Sequence, residues 1–394
     1  MVPFIILPPM PLDGFGDWKP IVQIRDRYEH RVNFDFDKGL ADVTASLHNR
    51  VRLGFEGELP DEWKVRVVYQ HSYSHDWTPA GNFRFEKNNI REAFFSHADD
   101  QGERFRLGRQ PIKVDNQRLV GPNDWDNIGR TFDAVRWKSG GRGAGWDFFL
   151  GKLGIAPNGE YSKNAMLGGI GVRNEQRDHV YLFYKQDRQF GLSTNVYTLN
   201  FVDRGTHRQF DHTLELSAQA GTTPGGDLQA WHGSANVGMW FSPNLRGYVE
   251  TNWASGGGGG THTFDNLYPT NHDKYGYADL QGLRNVRHYA AGLEWDPPGP
   301  FEFDTSCHTF RLYDMRDAWY GAGGQAKFID PSGASGRNVG SEWDIRGRFN
   351  GGDDWYLDAG FSLFMPGSFV NSVQGGNVGN LTFGYLMGGW YFKS

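Results

Sequence analysis

Residues Asp61 to His75 read DEWKVRVVYQHSYSH. Trp63, Val65, Val67, Tyr69 and Tyr73 fall on odd positions, while Lys64, Arg66, Gln70, Ser72 and Ser74 fall on even ones. Side chains of an extended strand point alternately to opposite faces, so this segment is a strand with one apolar and one charged face. The same pattern recurs. Val43, Ala45, Leu47, Val51, Leu53 and Phe55 oppose Ser46, His48, Arg50 and Arg52. Trp343, Ile345 and Phe349 oppose Glu342, Asp344, Arg346 and Arg348, and an apolar row runs from Trp355 to Met365. No 3.6-residue apolar stripe competes with this period.

Segments of this kind number about eighteen, at 18–30, 42–57, 61–75, 87–97, 102–111, 130–138, 144–152, 163–173, 176–187, 191–203, 209–220, 227–241, 243–256, 286–296, 300–315, 339–350, 353–366 and 380–393. Tight turns are expected at Pro60-Asp61, Asp99–Gly102, Ser139–Gly143, Glu175-Gln176, Ser242–Asn244, Pro297–Gly299 and Gly351–Asp354. Longer connectors fall at 76–86, 112–129, 257–285, 316–338 and 367–379, and between 187 and 209 the sides stay unassigned. Short turns alternating with long loops describe a transmembrane barrel, with the turns periplasmic and the loops extracellular.

Composition fits that reading. The chain of 394 residues is 15% aromatic and holds 54 glycines, yet its mean hydropathy is −0.61. A wide barrel reconciles many aromatics with a polar average, because lipid-facing and water-facing residues alternate. Trp63, Trp137, Trp146, Trp240, Trp295 and Trp355 lie near segment ends, where interfacial girdles form. No run reaches the length of a transmembrane helix. The net charge of −6 argues against nucleic acid as a partner. The single cysteine, Cys307, rules out an internal disulfide framework and any multi-cysteine metal site. The opening MVPFIILPPMPLDG makes a poor export signal, having no basic residue before Phe4–Leu7 and prolines after it. The chain is therefore expected to begin near a mature N-terminus, with Met1 added. Residues 1–17 form a lead-in and 18–394 a single all-β domain, an antiparallel transmembrane β-barrel.

Chemistry is sought on the water-facing rows. These carry Arg25, Arg27, Arg50, Arg52, Lys64, Arg66, Arg104, Arg106, Arg246, Arg346 and Arg348, with Arg109, Arg130 and Arg136 beside the 112–129 connector. Glu56, Glu215, Glu250, Glu294, Asp344 and Asp358 share the rows, and the remaining negative charge is expected in loops and turns. Guanidinium forks suit carboxylates and phosphates, and rings of them select anions in pores. Some arginines simply neutralise neighbouring acids, because buried charge needs a partner. The glycines at 256–260 lack the lysine and hydroxyl residue of a phosphate loop and are expected to form a flexible external loop. His272 with Asp265, Asp273 and Asp279 reads as a hydrogen-bonded loop before it reads as a cation site. No GxSxG or HExxH motif occurs, and no cofactor or metal ligand set is recognised.

Two stretches resemble a known family. Arg106–Arg136 reads RLGRQPIKVDNQRLVGPNDWDNIGRTFDAVR, and Phe264–Pro297 reads FDNLYPTNHDKYGYADLQGLRNVRHYAAGLEWDP. Both are similar to the alginate-export family of outer-membrane porins, and the resemblance extends over most of the chain. It implies an eighteen-stranded monomeric barrel whose arginine-lined constriction passes an anionic polyuronate. By motif, Arg106, Arg109, Arg130, Asp133 and Arg136 match pore-wall positions, while Arg25, Arg27, Arg52 and Arg66 occupy the arginine-bearing early strands. The 264–279 loop matches the external loop that folds over or into the barrel. The chain departs from the family in its trimmed loops, in lacking a long periplasmic gating turn, and in ending on Lys393-Ser394 after its terminal aromatics.

The function expected is a passive outer-membrane channel, not an enzyme, passing an anionic saccharide or another carboxylate solute. Pore-lining roles fall to Arg25, Arg27, Arg52, Arg66, Arg106, Arg109, Arg130, Asp133, Arg136, Arg346 and Arg348. Outer-membrane lipid is the surrounding partner, with periplasmic export proteins as further candidates. A general diffusion porin and a barrel serving as a carbohydrate-processing enzyme or receptor are the alternatives.

Overall fold

The structure is a computed structural model that describes residues 18–39, 42–99, 102–140, 144–156, 164–175, 178–189 and 192–392. The lead-in at 1–17, the end at 393–394 and parts of the turns near 100, 142 and 176 lie outside the described residues.

The strands are β1 (Trp18–Val32), β2 (Thr44–Glu58), β3 (Trp63–Thr78), β4 (Gly81–Asp99), β5 (Gly102–Gln110), β6 (Thr131–Lys138), β7 (Gly145–Ile155), β8 (Ala165–Arg173), β9 (His179–Gln189), β10 (Leu192–His207), β11 (Phe210–Thr223), β12 (Gly226–Ser242), β13 (Leu245–Ala254), β14 (Val286–Trp295), β15 (Phe301–Leu312), β16 (Trp319–Tyr320), β17 (Ala326–Phe328), β18 (Asn338–Asn350), β19 (Trp355–Pro366) and β20 (Leu381–Phe392). All but β16 and β17 form one antiparallel sheet of eighteen strands. It closes through β1 and β20, with Arg25 opposite Gly389 and Val22 opposite Phe392. Closure leaves no unpaired edge, the condition for a sheet to sit in lipid. β16 and β17 form a small hairpin within the connector from β15 to β18, and α1 (Ser368–Val373) lies in the last connector.

The alternation holds strand by strand. Leu53, Phe55, Tyr69, Leu107, Trp137, Trp343 and Leu357 are exposed on the outer face. Arg25, Arg50, Arg52, Gln70, Ser72 and Asp344 are buried on the inner one. The turns expected at 60–61, 242–244, 297–299 and 351–354 join consecutive strands at one end, and the long connectors lie at the other. Two readings need correction. Residues 76–86 are not a long loop, because β3 and β4 run on and face one another from Trp77–Asn82 to the close at Thr78–Gly81. Between 187 and 209 both hairpins are tight, with Leu192 opposite Gln189 and His207 opposite Phe210.

The interior is not wet throughout. An eighteen-stranded wall encloses more space than its own side chains fill, and the long connectors fold into it. Phe36, Ile112, Leu119, Phe264, Leu280, Trp319, Phe364 and Val370 are buried together inside the loop end. The glycine run takes part in this packing. Gly257, Gly258, Gly259 and Gly260 all have positive φ, and a Cβ on Gly256 would stand 2.0 Å from Asn285 Oδ1. Glycine is the residue that takes four such conformations without strain. The run is therefore a fitted turn, and the expected slack loop is corrected.

Candidate functional site

The connector from Gln110 to Thr131 enters the lumen from the loop end and spans it as a strap. Its apolar residues Ile112, Val114, Leu119, Val120 and Ile128 join the inner core. Residues 117–121 pair with the 255–285 connector. Tyr268 N donates to Leu119 O at 3.0 Å and Gly121 N to Tyr268 O at 2.8 Å. Each end of the strap then meets wall charge of the opposite sign.

At its tip, Asp124 meets β2 and β4. Arg52 Nη2 lies 2.6 Å from Asp124 Oδ1, Arg50 Nη2 lies 3.4 Å from Oδ2, and Arg91 Nη2 lies 3.2 Å from Oδ1. Neighbouring carbonyls take further donors. Arg25 gives to Asp124 O at 2.7 Å and Trp125 O at 3.0 Å, and Arg27 gives to Trp125 O at 2.5 Å. Arg27 also packs over the Trp125 ring at 3.9 Å, and the same ring stacks on His272 at 3.5 Å. Arg91 reaches this cluster through a β-bulge. Val68 pairs with Glu92 but Tyr69 pairs with Ile90, so Arg91 is the extra residue in β4. A bulge sets two successive residues on one side, here Arg91 and Glu92.

On the nearly opposite wall the strap presents Arg118. Its Nη1 donates to Asn252 Oδ1 at 2.7 Å and to the Tyr275 hydroxyl at 2.8 Å. Its Nη2 lies 3.2 Å from Glu250, and its Nε lies 3.2 Å from Glu215. That wall is acidic along β11, β13, β15, β18 and β19. Arg346 there binds Asp358 at 2.6 Å and Asp304 at 3.0 Å, and Arg348 lies 3.6 Å from Asp358. Glu215, Glu250, Asp344 and Asp358 thus lie on the lumenal rows where the alternation put them, and Asp304 of β15 joins them. The tip of the strap meets an arginine cluster and Arg118 meets a pair of acids, while Asp115 pairs with Arg204 of β10.

The remaining predicted residues occupy other places. Arg130 is buried and binds the carbonyls of Gly121 and Tyr268 at 2.9 and 2.8 Å, tying two connectors together. Arg136 forms a two-pronged pair with Asp147 at 2.9 and 2.5 Å. Arg66 binds Glu92 and Glu56 at 2.7 and 3.0 Å, and with Arg106 it lines a cavity of about 370 Å³ near the turn end. Arg109 and Asp133 do not line the lumen. They share the outward row with Leu107, Val135 and Trp137 and pair with each other at 2.6 and 2.8 Å. The reason is parity, because positions three apart on a strand cannot share a face with Arg106 and Arg136. Lys185 holds Asp265 at 2.8 Å, and His272 meets Asp279 at 2.9 Å, so the acids of that loop are internally paired.

Sequence reasoning passed over Asp124, Trp125, Arg118 and Arg91. The first three stood inside the motif quoted above, but nothing local marks a loop acid as the partner of distant arginines. Arg91 was hidden by the bulge.

Asp124 stays ionised in acid. Burial works against the charge, but Arg50, Arg52 and Arg91 outweigh it and hold the carboxyl well below the usual range. A group with a lowered native pKa contributes stability above its unfolded value, near 4, and loses it as pH falls through the native value. Single-channel conductance is therefore expected to stay flat between about pH 7 and 5 and to change only below about pH 4. A step between pH 5 and 7 would assign control of the strap to another group.

A sequence model of the alginate-export family matches residues 21–157 and 172–383. The chain belongs to the alginate-export family. No curated protein sequence matches it. Solved barrels of Pseudomonas aeruginosa share its fold. OpdK aligns with a TM-score of 0.65 at 12% identity, covering 97% of this chain and 100% of that one. OccK5 (OpdH) aligns with a TM-score of 0.64 at 11% identity, covering 96% and 98%. OpdK with vanillate aligns with a TM-score of 0.63 at 11% identity, covering 97% and 100%. Identities this low speak to fold alone. This alginate-export family member is thus an outer-membrane, porin-like barrel, a fold and family that point to a channel. Its short turns face the periplasm and its long loops the exterior.

Proposed function

We propose that this barrel is a passive channel for carboxylate-bearing solutes, acidic saccharides of the uronate kind foremost. One observation carries the reading: three guanidiniums of a single wall converge on one carboxylate, that of Asp124. The wall is built to hold carboxylates with paired, charge-assisted donors. Arg25 adds another cation beside it, and Arg27, itself paired with Glu29 at 2.7 Å, holds the Trp125 carbonyl. Cations lining a narrow passage raise the local concentration of anions and favour their entry. The vanillate found with OpdK carries a carboxylate of the same chemistry. Beside the strap lies a cavity of about 840 Å³ whose lining carries both signs of charge, with Arg27, Arg31 and Lys185 facing Glu29, Asp126 and Asp279.

The test is the reversal potential of single channels under a salt gradient, followed by addition of a uronate trisaccharide. Wild-type barrels are expected to prefer anions and to show interruptions of current by the sugar. Arg52→Gln with Arg91→Gln should abolish both. Equal anion and cation permeability in the wild type, with no interruptions, would leave a general diffusion porin as the function.

A further inference from the structure

A site of three arginines creates a difficulty for a channel. Conduction needs binding favourable enough to admit the solute and weak enough to release it. Three largely desolvated guanidiniums would hold a carboxylate long enough to block the pore, because charge-assisted pairs strengthen where water is excluded. The strap supplies a remedy. We propose that Asp124 is a tethered competitor: it fills the carboxylate site in the resting barrel, and a solute carboxylate exchanges with it. This rests on the carboxylate-channel reading and assigns that site its regulation.

Exposure supports exchange at this position. The side chains of Arg50, Arg52 and Arg91 are 7%, 9% and 3% exposed, whereas that of Asp124 is 44% exposed. The acid lies on the open side of the site, where a solute arrives, and the cations lie behind it. Spare donors are present as well. Arg25 Nε and Arg91 Nε are buried with no hydrogen-bond acceptor among the described residues. An incoming carboxylate therefore finds donors that Asp124 does not use.

The hold on the tip also suits exchange. Its backbone carbonyls bind Arg25 and Arg27 separately from the carboxylate. Rotation of the Asp124 side chain thus frees Arg52 Nη2 and Arg91 Nη2. Arg50 Nη1 stays on the carbonyls of Asp124 and Asp126 at 3.0 and 3.3 Å and helps keep the strap in place. A competitor fixed by its own backbone acts at the effective concentration of a short tether, on the order of millimolar or above. The apparent affinity of the solute falls by the fraction of time the site stands free. A trap becomes a waystation.

The experiment compares dwell times of a uronate trisaccharide in single wild-type, Asp124→Asn and Asp124→Glu channels. Asparagine keeps the size and one acceptor but removes the charge, while glutamate keeps the charge. Expected are dwell times at least about tenfold longer in Asp124→Asn, with Asp124→Glu close to wild type. Unchanged or shorter dwell times in Asp124→Asn overturn the proposal. Lengthening in both variants also overturns it, because displacement of the strap would then be the cause. Failure of the carboxylate-channel reading looks different: the wild type itself shows neither anion preference nor interruptions.

Discussion

Arg118→Ala is expected to produce the largest single loss in this barrel. The guanidinium joins Glu215 of β11, Glu250 and Asn252 of β13, and Tyr275 of the 255–285 connector. The side chains of Arg118, Glu215 and Glu250 are 7%, 4% and 14% exposed, so removal of the cation strands two acids in a dry site. Breaking a buried ion pair by deleting one partner typically costs about 3–5 kcal/mol. The eighteen strands do not depend on this contact and should still close. The strap, losing its hold on Glu215 and Glu250, should move there. The temperature at which the folded form is lost on a denaturing gel should fall, and open-channel current should become noisier and larger. Adding Glu215→Gln and Glu250→Gln to Arg118→Ala should recover much of the thermal loss, since amides need no counter-charge. Unchanged stability and conductance in Arg118→Ala would mean that the strap is held by its apolar residues alone.

Trp319→Ala should have a comparable effect by a different route. Trp319 is 1% exposed inside the loop end. It packs near Phe36, Phe328 and Phe364 at ring separations of 5.8, 5.9 and 6.0 Å. Its indole N–H donates to Gln281 Oε1 at 2.9 Å. Removal of a buried tryptophan typically costs about 3–5 kcal/mol, and here it also leaves a glutamine oxygen without its donor. Because the contacts tie the 313–337 connector to Phe36, to Gln281 and to the inner face of β19 at Phe364 without being part of the strand ladder, the barrel should persist while its interior loosens. Limited proteolysis should then cut within 313–337 from the loop side, where the wild type resists. Resistance equal to wild type would show that the β16–β17 hairpin is held from elsewhere.

The wall of this molecule was legible because every strand repeats one simple constraint. Trp63, Val65 and Tyr69 must meet lipid while Lys64 and Arg66 meet water, and period two records that in segment after segment. A longer connector is expected at 76–86. Yet Phe83, Arg84, Phe85 and Glu86 simply continue the strand beyond that hairpin's close. Arg109 and Asp133 were misassigned when a family motif was allowed to outweigh the parity counted from Arg106 and Arg136. The lumen was legible as an inventory of charge but not as a set of contacts. Which carboxylate meets Arg52 depends on how a twenty-residue connector folds back, and no period governs that. The inner core is obscure for the same reason. Ile112, Leu119 and Trp319 are apolar residues in connectors, and only the fold places them together.

The bulge in β4 has a consequence for how such a pore changes over generations. Arg91 faces inward because the strand holds one residue more than its neighbour requires there. Replacing residues one at a time leaves the number of inward positions on each strand fixed. An insertion or deletion at this point adds or removes a charge beside Asp124 while the lipid face keeps its sequence. Libraries that vary only residue identity would never visit those alternatives. Alignments that pass over the gap would assign inward charges of β4 to the wrong columns. For a barrel of this kind, strand length is itself a heritable setting of the pore.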